Sequence, residues 1–209
     1  MMNAEGYNHI MKVAPLGDAV PQRGGFLSKL IGRSVLAVLG WHMEGEFPNK
    51  PKFVIIVAPH TSNWDFFVGM AGRLTLGLYA NWLGKHTIFI WPLGVLLRRL
   101  GGIPLNRSAS HRTVKQVVEL FREKQKLVLG LSPEGTRKKV EKWKTGFYHI
   151  ALQSGVPIVP VYLDYAHKIL GIGPAMTPTG DSQKDLSDIG AFFSNIQGKH
   201  PELFSTLRP

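Results

Sequence analysis

In the stretch APHTSNWDFF, residues 58–67, His60 and Asp65 stand with four residues between them, directly behind the apolar run FVIIV. A histidine with one ring nitrogen held by a carboxylate can take a proton through the other nitrogen. The pair is therefore a candidate general base with its orienting acid. At about 100° per residue, positions five apart on an α-helix lie about 140° from one another, so the two side chains meet only across a turn. We expect His60 at a strand end, residues 61–63 in the turn and Asp65 in the first turn of a helix. Plainer readings of the same residues are a capped surface histidine and a helix cap from Asn63 or Asp65. Ser62 invites a triad reading, but Ser and His this close, without a Gly-x-Ser-x-Gly elbow, make a poor hydrolase pattern.

Two further stretches offer partners. LSPEGTRKK, residues 131–139, also follows an apolar run, and Pro133 and Gly135 shape a tight loop there. Glu134 and Arg137 can point into a cleft from it beside free backbone N–H groups, which suits an anion; a surface turn is the alternative. GGIPLNR carries Arg107 to the same sheet edge, where a guanidinium fork fits a phosphate or is simply solvated.

The elements that must hold these residues alternate. KFVIIVAP, NWLGK, GIPLN, KLVLGL and VPIVPVYLDY read as strands, the last marked as an edge or bulged strand by its prolines. Between them DFFVGMAGRLTLGLYA, GVLLRRLG, SHRTVKQVVELFREK and KTGFYHIALQSG read as helices, the third with Val114, Val117, Val118 and Phe121 inward. This alternation implies a single α/β domain with a central, mainly parallel (mixed) sheet flanked by helices. Residues 1–24 are expected as a poorly ordered tail and 25–209 as the domain. Residues 26–41 form an amphipathic helix: Phe26, Leu27, Leu30, Ile31, Val35, Val38 and Leu39 on one side, Lys29, Arg33 and Ser34 on the other. It can pack on the core or lie in a membrane interface. A second amphipathic stretch, from Ile189 to Ile196, leaves the same two possibilities.

Composition narrows the chemistry. A chain of 209 residues with 44% hydrophobic and 19% charged residues supports one globular core. Without cysteine there is no disulfide, thiolate zinc site or cysteine nucleophile. The net charge of +11 calls for anionic partners. Between Phe66 and Val118 there is no Asp or Glu, while Arg73, Lys85, Arg98, Arg99, Arg107, Arg112 and Lys115 stand among apolar residues. That mixture suits lipid headgroups better than a duplex. A nucleic-acid-binding module would explain the charge but leave the His–Asp pair idle, so no nucleic acid is expected. A metal-dependent phosphoesterase would need further ligands at strand ends, and His86, His111, His149 and His167 show no such pattern. No stretch reaches the roughly 18 apolar residues of a membrane span, and the N-terminal residues lack a signal-peptide pattern. The expected setting is peripheral, on the cytoplasmic face of the inner membrane.

In chain order, HTSNWD, GGIPLNR, SPEGTR and VPIVPV resemble the four sequence blocks of the glycerolipid acyltransferases, the family that includes 1-acylglycerol-3-phosphate acyltransferase. The likeness runs from His60 to Val161, and the Pro-Glu-Gly-Thr-Arg block is its most specific part. It implies O-acyl transfer from an acyl thioester, on coenzyme A or acyl carrier protein, to a lysophospholipid hydroxyl, without a metal or redox cofactor. It also implies that His60 is the base and Asp65 its anchor, and that Arg107, Glu134, Gly135, Thr136 and Arg137 line the acceptor site. Pro157 and Pro160 would shape the strand beside the donor. The chain departs from the pattern at Pro59, at Ser132 and in the slight IPLN block. The last two lie where the acceptor would be read: lysophosphatidic acid is the default, with a lyso-ornithine lipid or another lysophospholipid open.

Overall fold

The computed structural model describes residues 11–105, 110–140 and 142–204. Its strands are β1 (Met11–Val13), β2 (His42–Gly45), β3 (Lys52–Ala58), β4 (Ala80–Lys85), β5 (Gly102–Leu105), β6 (Leu127–Leu131), β7 (Ile158–Asp164) and β8 (Ile169–Ile172). They form one sheet in the order β1-β2-β8-β7-β3-β6-β4-β5. Every described pairing is parallel except β7 with β8. The expected mixed, mainly parallel α/β sheet is thus the architecture observed.

Strand β3 is apolar because it is covered on both faces. Val54, Ile56 and Ala58 point to one layer, formed by α4 (Ser110–Glu123), α5 (Gly146–Ser154) and α6 (Ser182–Phe193). Val117, Phe121, Tyr148, Ile150, Ile189 and Phe193 fill that side. Phe53 and Ile55 point the other way, toward Val68 and Ala71 of α2 (Trp64–Leu76) and Leu36 of α1 (Phe26–Val38). The short α3 (Leu93–Arg99) precedes β5. The amphipathic stretch near Ile189 therefore packs on the core: Leu186, Ile189 and Phe193 of α6 are buried.

Helix α1 resolves differently. Its buried residues are Gly32 and Leu36, while Phe26, Leu27, Ile31, Val35 and Val38 face outward. Gly32 makes this docking possible, because a Cβ there would lie 2.5 Å from the Thr75 nitrogen and 2.6 Å from the Ala71 carbonyl oxygen. A narrow stripe of small contact thus seats α1 on α2, and the wide apolar stripe is left free. Among the described residues, no helix is long and apolar enough to cross a membrane.

Two expectations are corrected. Residues 11–24, set apart above as part of a tail, belong to the domain: β1 pairs with β2, Val20 is buried, and Pro21 accepts from the Tyr79 N–H. Strand β7 is neither an edge nor bulged, since it runs between β3 and β8. Pro160 forfeits one ladder donor, and Pro157 lies just before the strand. The Pro160 carbonyl accepts from Gly173, just beyond β8, so one bond of that pair survives, and the Pro157 carbonyl accepts from Val54.

Candidate active site

Parallel pairing brings the C-terminal ends of β3, β6 and β7 to one edge of the sheet: Ile56 is level with Leu131, and Ala58 with Tyr162. Loops leaving such an edge are where open α/β sheets place their ligands. Here they carry His60, Glu134 and Tyr165.

The turn required between His60 and Asp65 is present. β3 ends at Ala58, residues 59–63 turn, and Asp65 lies in the first turn of α2. Asp65 closes this turn itself, its Oδ2 accepting the Ser62 N–H at 2.8 Å. The same oxygen stands 3.1 Å from His60 Nδ1. The imidazole is 23% exposed and the carboxylate 1%, so the ring reaches solvent and the carboxylate does not. With Nδ1–H directed to Asp65, Nε2 is the nitrogen left to take a proton. Burial resists ionisation of Asp65, yet hydrogen bonds from His60, Tyr165 and the Ser62 N–H outweigh it and hold its pKa below the usual value. Ser62 is buried and its Oγ accepts the Trp64 N–H at 3.2 Å, which is a turn role rather than a nucleophile's. Asn63, at the N-cap, makes no side-chain cap bond.

Glu134 follows β6 and is 1% exposed. Its Oε1 accepts the His60 main-chain N–H at 2.6 Å. Burial pushes the carboxyl up to about 7, with the bond from His60 opposing that rise. Glu134, expected from the sequence to line an acceptor site, is buried and fixes the backbone of His60. Gly135 takes a left-handed φ of +67°, which allows the chain to reverse after Glu134. The Gly135 N–H donates to the Ser132 carbonyl at 3.2 Å and Thr136 Oγ1 accepts the Lys138 N–H at 3.3 Å, so the loop is self-bonded. Arg137 is exposed. Lys144, which no sequence block includes, lies against Gly135: a Cβ there would meet its side chain at 3.1 Å. Arg107 lies outside the described residues. Among the described residues, no group of three His, Asp or Glu could hold a metal ion.

Tyr165 escaped the sequence reading. It stands one residue past β7, and its hydroxyl donates to Asp65 Oδ1 at 2.7 Å. A tyrosine after a strand carries no pattern of its own, so no signal in the sequence could have found it.

A histidine at the carboxyl edge of a parallel sheet, its Nδ1 held by a buried aspartate, is an arrangement that can take a proton from a hydroxyl. Residues 42–164 match the acyltransferase family model. A 1-acyl-sn-glycerol-3-phosphate acyltransferase of Haemophilus influenzae is 27% identical, aligned over 86% of this chain and 82% of its own length. One from Cocos nucifera is 32% identical over 77% of this chain, which spans only 54% of that relative. The crystal structure of the 1-acyl-sn-glycerophosphate acyltransferase PlsC from Thermotoga maritima shares the fold, with a TM-score of 0.59, 21% identity and coverage of 78% of this chain and 73% of that one. The chain belongs to the acyltransferase family and is an O-acyltransferase.

Proposed function

We propose that the chain transfers a fatty acyl group from an acyl thioester, on coenzyme A or acyl carrier protein, to the free hydroxyl of 1-acylglycerol-3-phosphate, giving phosphatidic acid. The observation that carries this reading is the His60–Asp65 pair, with a half-buried base whose Nε2 is free and a buried anchor. The names of the relatives support the acceptor. In the transfer, His60 Nε2 takes the hydroxyl proton while the oxygen attacks the thioester carbonyl. The tetrahedral intermediate collapses with cleavage of the carbon–sulfur bond, and the proton on Nε2 passes to the departing thiolate. Asp65 stabilises the imidazolium between the two proton transfers. No acyl-enzyme is formed. Arg137 and Arg107 receive the phosphate of the acceptor.

The acceptor lives in a bilayer, and the protein works there peripherally, on the anionic cytoplasmic face of the inner membrane. Two exposed apolar patches support this docking: the outer stripe of α1 and the segment around Ile90, Trp91 and Leu93, with Trp91 85% exposed. Arg98 and Arg99, in the last turn of α3, lie close behind the second patch. Basic residues beside exposed aromatic and aliphatic ones suit lipid headgroups.

The test is an acyl-transfer assay of the purified protein on a panel of lysolipids, including lysophosphatidic acid and lyso-ornithine lipid, with each thioester donor. Transfer to lysophosphatidic acid is expected, with a loss of several hundredfold or more in His60→Ala. Near-native rates in His60→Ala would overturn the mechanism, and inactivity toward lysophosphatidic acid beside activity on another lysolipid would overturn the acceptor.

A further inference from the structure

The Asp65 carboxylate is 1% exposed, and both of its oxygens are occupied. Oδ2 receives Ser62 N–H and faces His60 Nδ1; Oδ1 receives only the Tyr165 hydroxyl among described side chains. A carboxylate held through one oxygen can swing about its Cβ–Cγ bond, and the imidazole bonded to it swings too. Held through both, it presents one fixed edge to the ring. We infer that Tyr165 is a positioning residue of the transfer reaction, which acts through Asp65 to keep His60 in the Nδ1–H tautomer with Nε2 turned toward the acceptor hydroxyl.

Tyr165 is itself pinned for this task. Its N–H donates to the Gln197 carbonyl at 2.8 Å. Its ring meets Trp41 edge-on, with centroids 4.8 Å apart. Burial and the bond to Asp65 push the phenol far above its ordinary pKa, so it is a donor at any working pH. The residue lies just outside the region that matches the family model, which ends at residue 164. A C-terminal segment outside that region braces the same loops: His200 N–H donates to Thr61 Oγ1 at 3.1 Å, and a Cβ on Gly198 would lie 2.9 Å from that oxygen. The inference rests on the reading of His60 as base.

Tyr165→Phe tests it cleanly, because phenylalanine keeps the ring against Trp41 and the bond to Gln197 and loses only the hydroxyl. Trp41→Phe is the control that loosens the ring and keeps the hydroxyl. In Tyr165→Phe, kcat is expected to fall about tenfold or more with KM within about twofold, as for a lost bond to a buried charge. Nitrogen-15 NMR of His60 is expected to show the Nδ1–H tautomer in the native protein and a mixture in Tyr165→Phe. The thermal midpoint and kcat of Trp41→Phe report on packing alone. An unchanged tautomer in Tyr165→Phe, or an equal loss of kcat in Trp41→Phe, overturns the inference. Inactivity of the native protein on every lysolipid would instead sink the functional reading, while the NMR comparison would still decide the role of Tyr165.

Discussion

The main-chain N–H of His60 donates to the Oε1 of Glu134 at 2.6 Å across 74 positions of chain. This bond ties the loop after β3 to the loop after β6 and sets His60 by its backbone rather than by its ring. Glu134 is otherwise enclosed, with His60 and Asp65 the titratable groups that face it. The folded carboxyl titrates at about 7 against an ordinary 4.5, so the folded state binds this proton more tightly than the unfolded state. Its contribution is therefore full below pH 4.5 and lost as the pH rises through 7. The loss is on the order of 3 kcal/mol at most. Glu134→Gln keeps an acceptor for the His60 N–H and removes the titration. Urea midpoints between pH 4.5 and 7.5 should fall in the native protein and stay nearly flat in Glu134→Gln; parallel curves would show that another group titrates.

Asp65→Asn probes the other support of His60. The amide can turn its NH2 toward Nδ1, which would leave the ring with its proton on Nε2, where the acceptor hydroxyl must deliver one. The expected loss in kcat is about a hundredfold to ten-thousandfold, with a far smaller change in KM. Steady-state kinetics over a range of acceptor concentrations distinguish the two. A loss confined to KM would mean that Asp65 serves binding instead.

The sequence made the turn between His60 and Asp65 necessary, since five helical positions cannot bring two side chains together, and the structure contains that turn. It also revealed strands β3 to β7, of which β3, β6 and β7 are the plainest because they are buried on both faces and leave apolar runs. Strands β1 and β2 are MKV and HMEG, so no apolar run marks them, and β8 is the short run ILGI, which the sequence reading leaves unassigned. Glu134 was legible as important but not as buried, because its burial depends on how two distant loops close. Tyr165 was not legible at all: its value lies in one hydrogen bond to Asp65. The direction of α1 was hidden for a different reason. The apolar stripe is strong, but Gly32 and Leu36 set the docking face, and a single glycine does not outweigh seven apolar residues in a periodicity.

The outward stripe of α1 has its own consequence. Phe26 is 80% exposed and Val38 86%, so charges placed there disturb little of the fold. Phe26→Asp with Val38→Asp should leave stability within about 1 kcal/mol of native. Each apolar side chain that enters lipid contributes about 1.5–3 kcal/mol, so binding to anionic vesicles should fall at least tenfold. Vesicle sedimentation measures it. Raised salt should weaken native binding in part, through the basic residues, and undiminished binding by the double variant would remove α1 from the docking surface.

Gly32 and Gly69 lie on the two helices that pack against one another, and the same substitution should act on them with opposite sign. In a helix interior, glycine to alanine gains about 1 kcal/mol from backbone entropy and propensity. At Gly69 nothing lies within 4 Å of the new Cβ, so that gain should appear nearly whole. At Gly32 the Cβ would come within 2.6 Å of backbone atoms of α2, which cannot rotate away as a side chain would. The helices must separate, at about 1–3 kcal/mol for an overpacked contact, and this exceeds the propensity gain. Urea unfolding should show Gly69→Ala more stable than native and Gly32→Ala less stable. In Gly32→Ala, hydrogen exchange should also quicken in α1, because its seat on α2 is the contact that is lost. A stabilised Gly32→Ala would mean that α1 has room to move outward freely, and that its position beside α2 does not depend on the glycine.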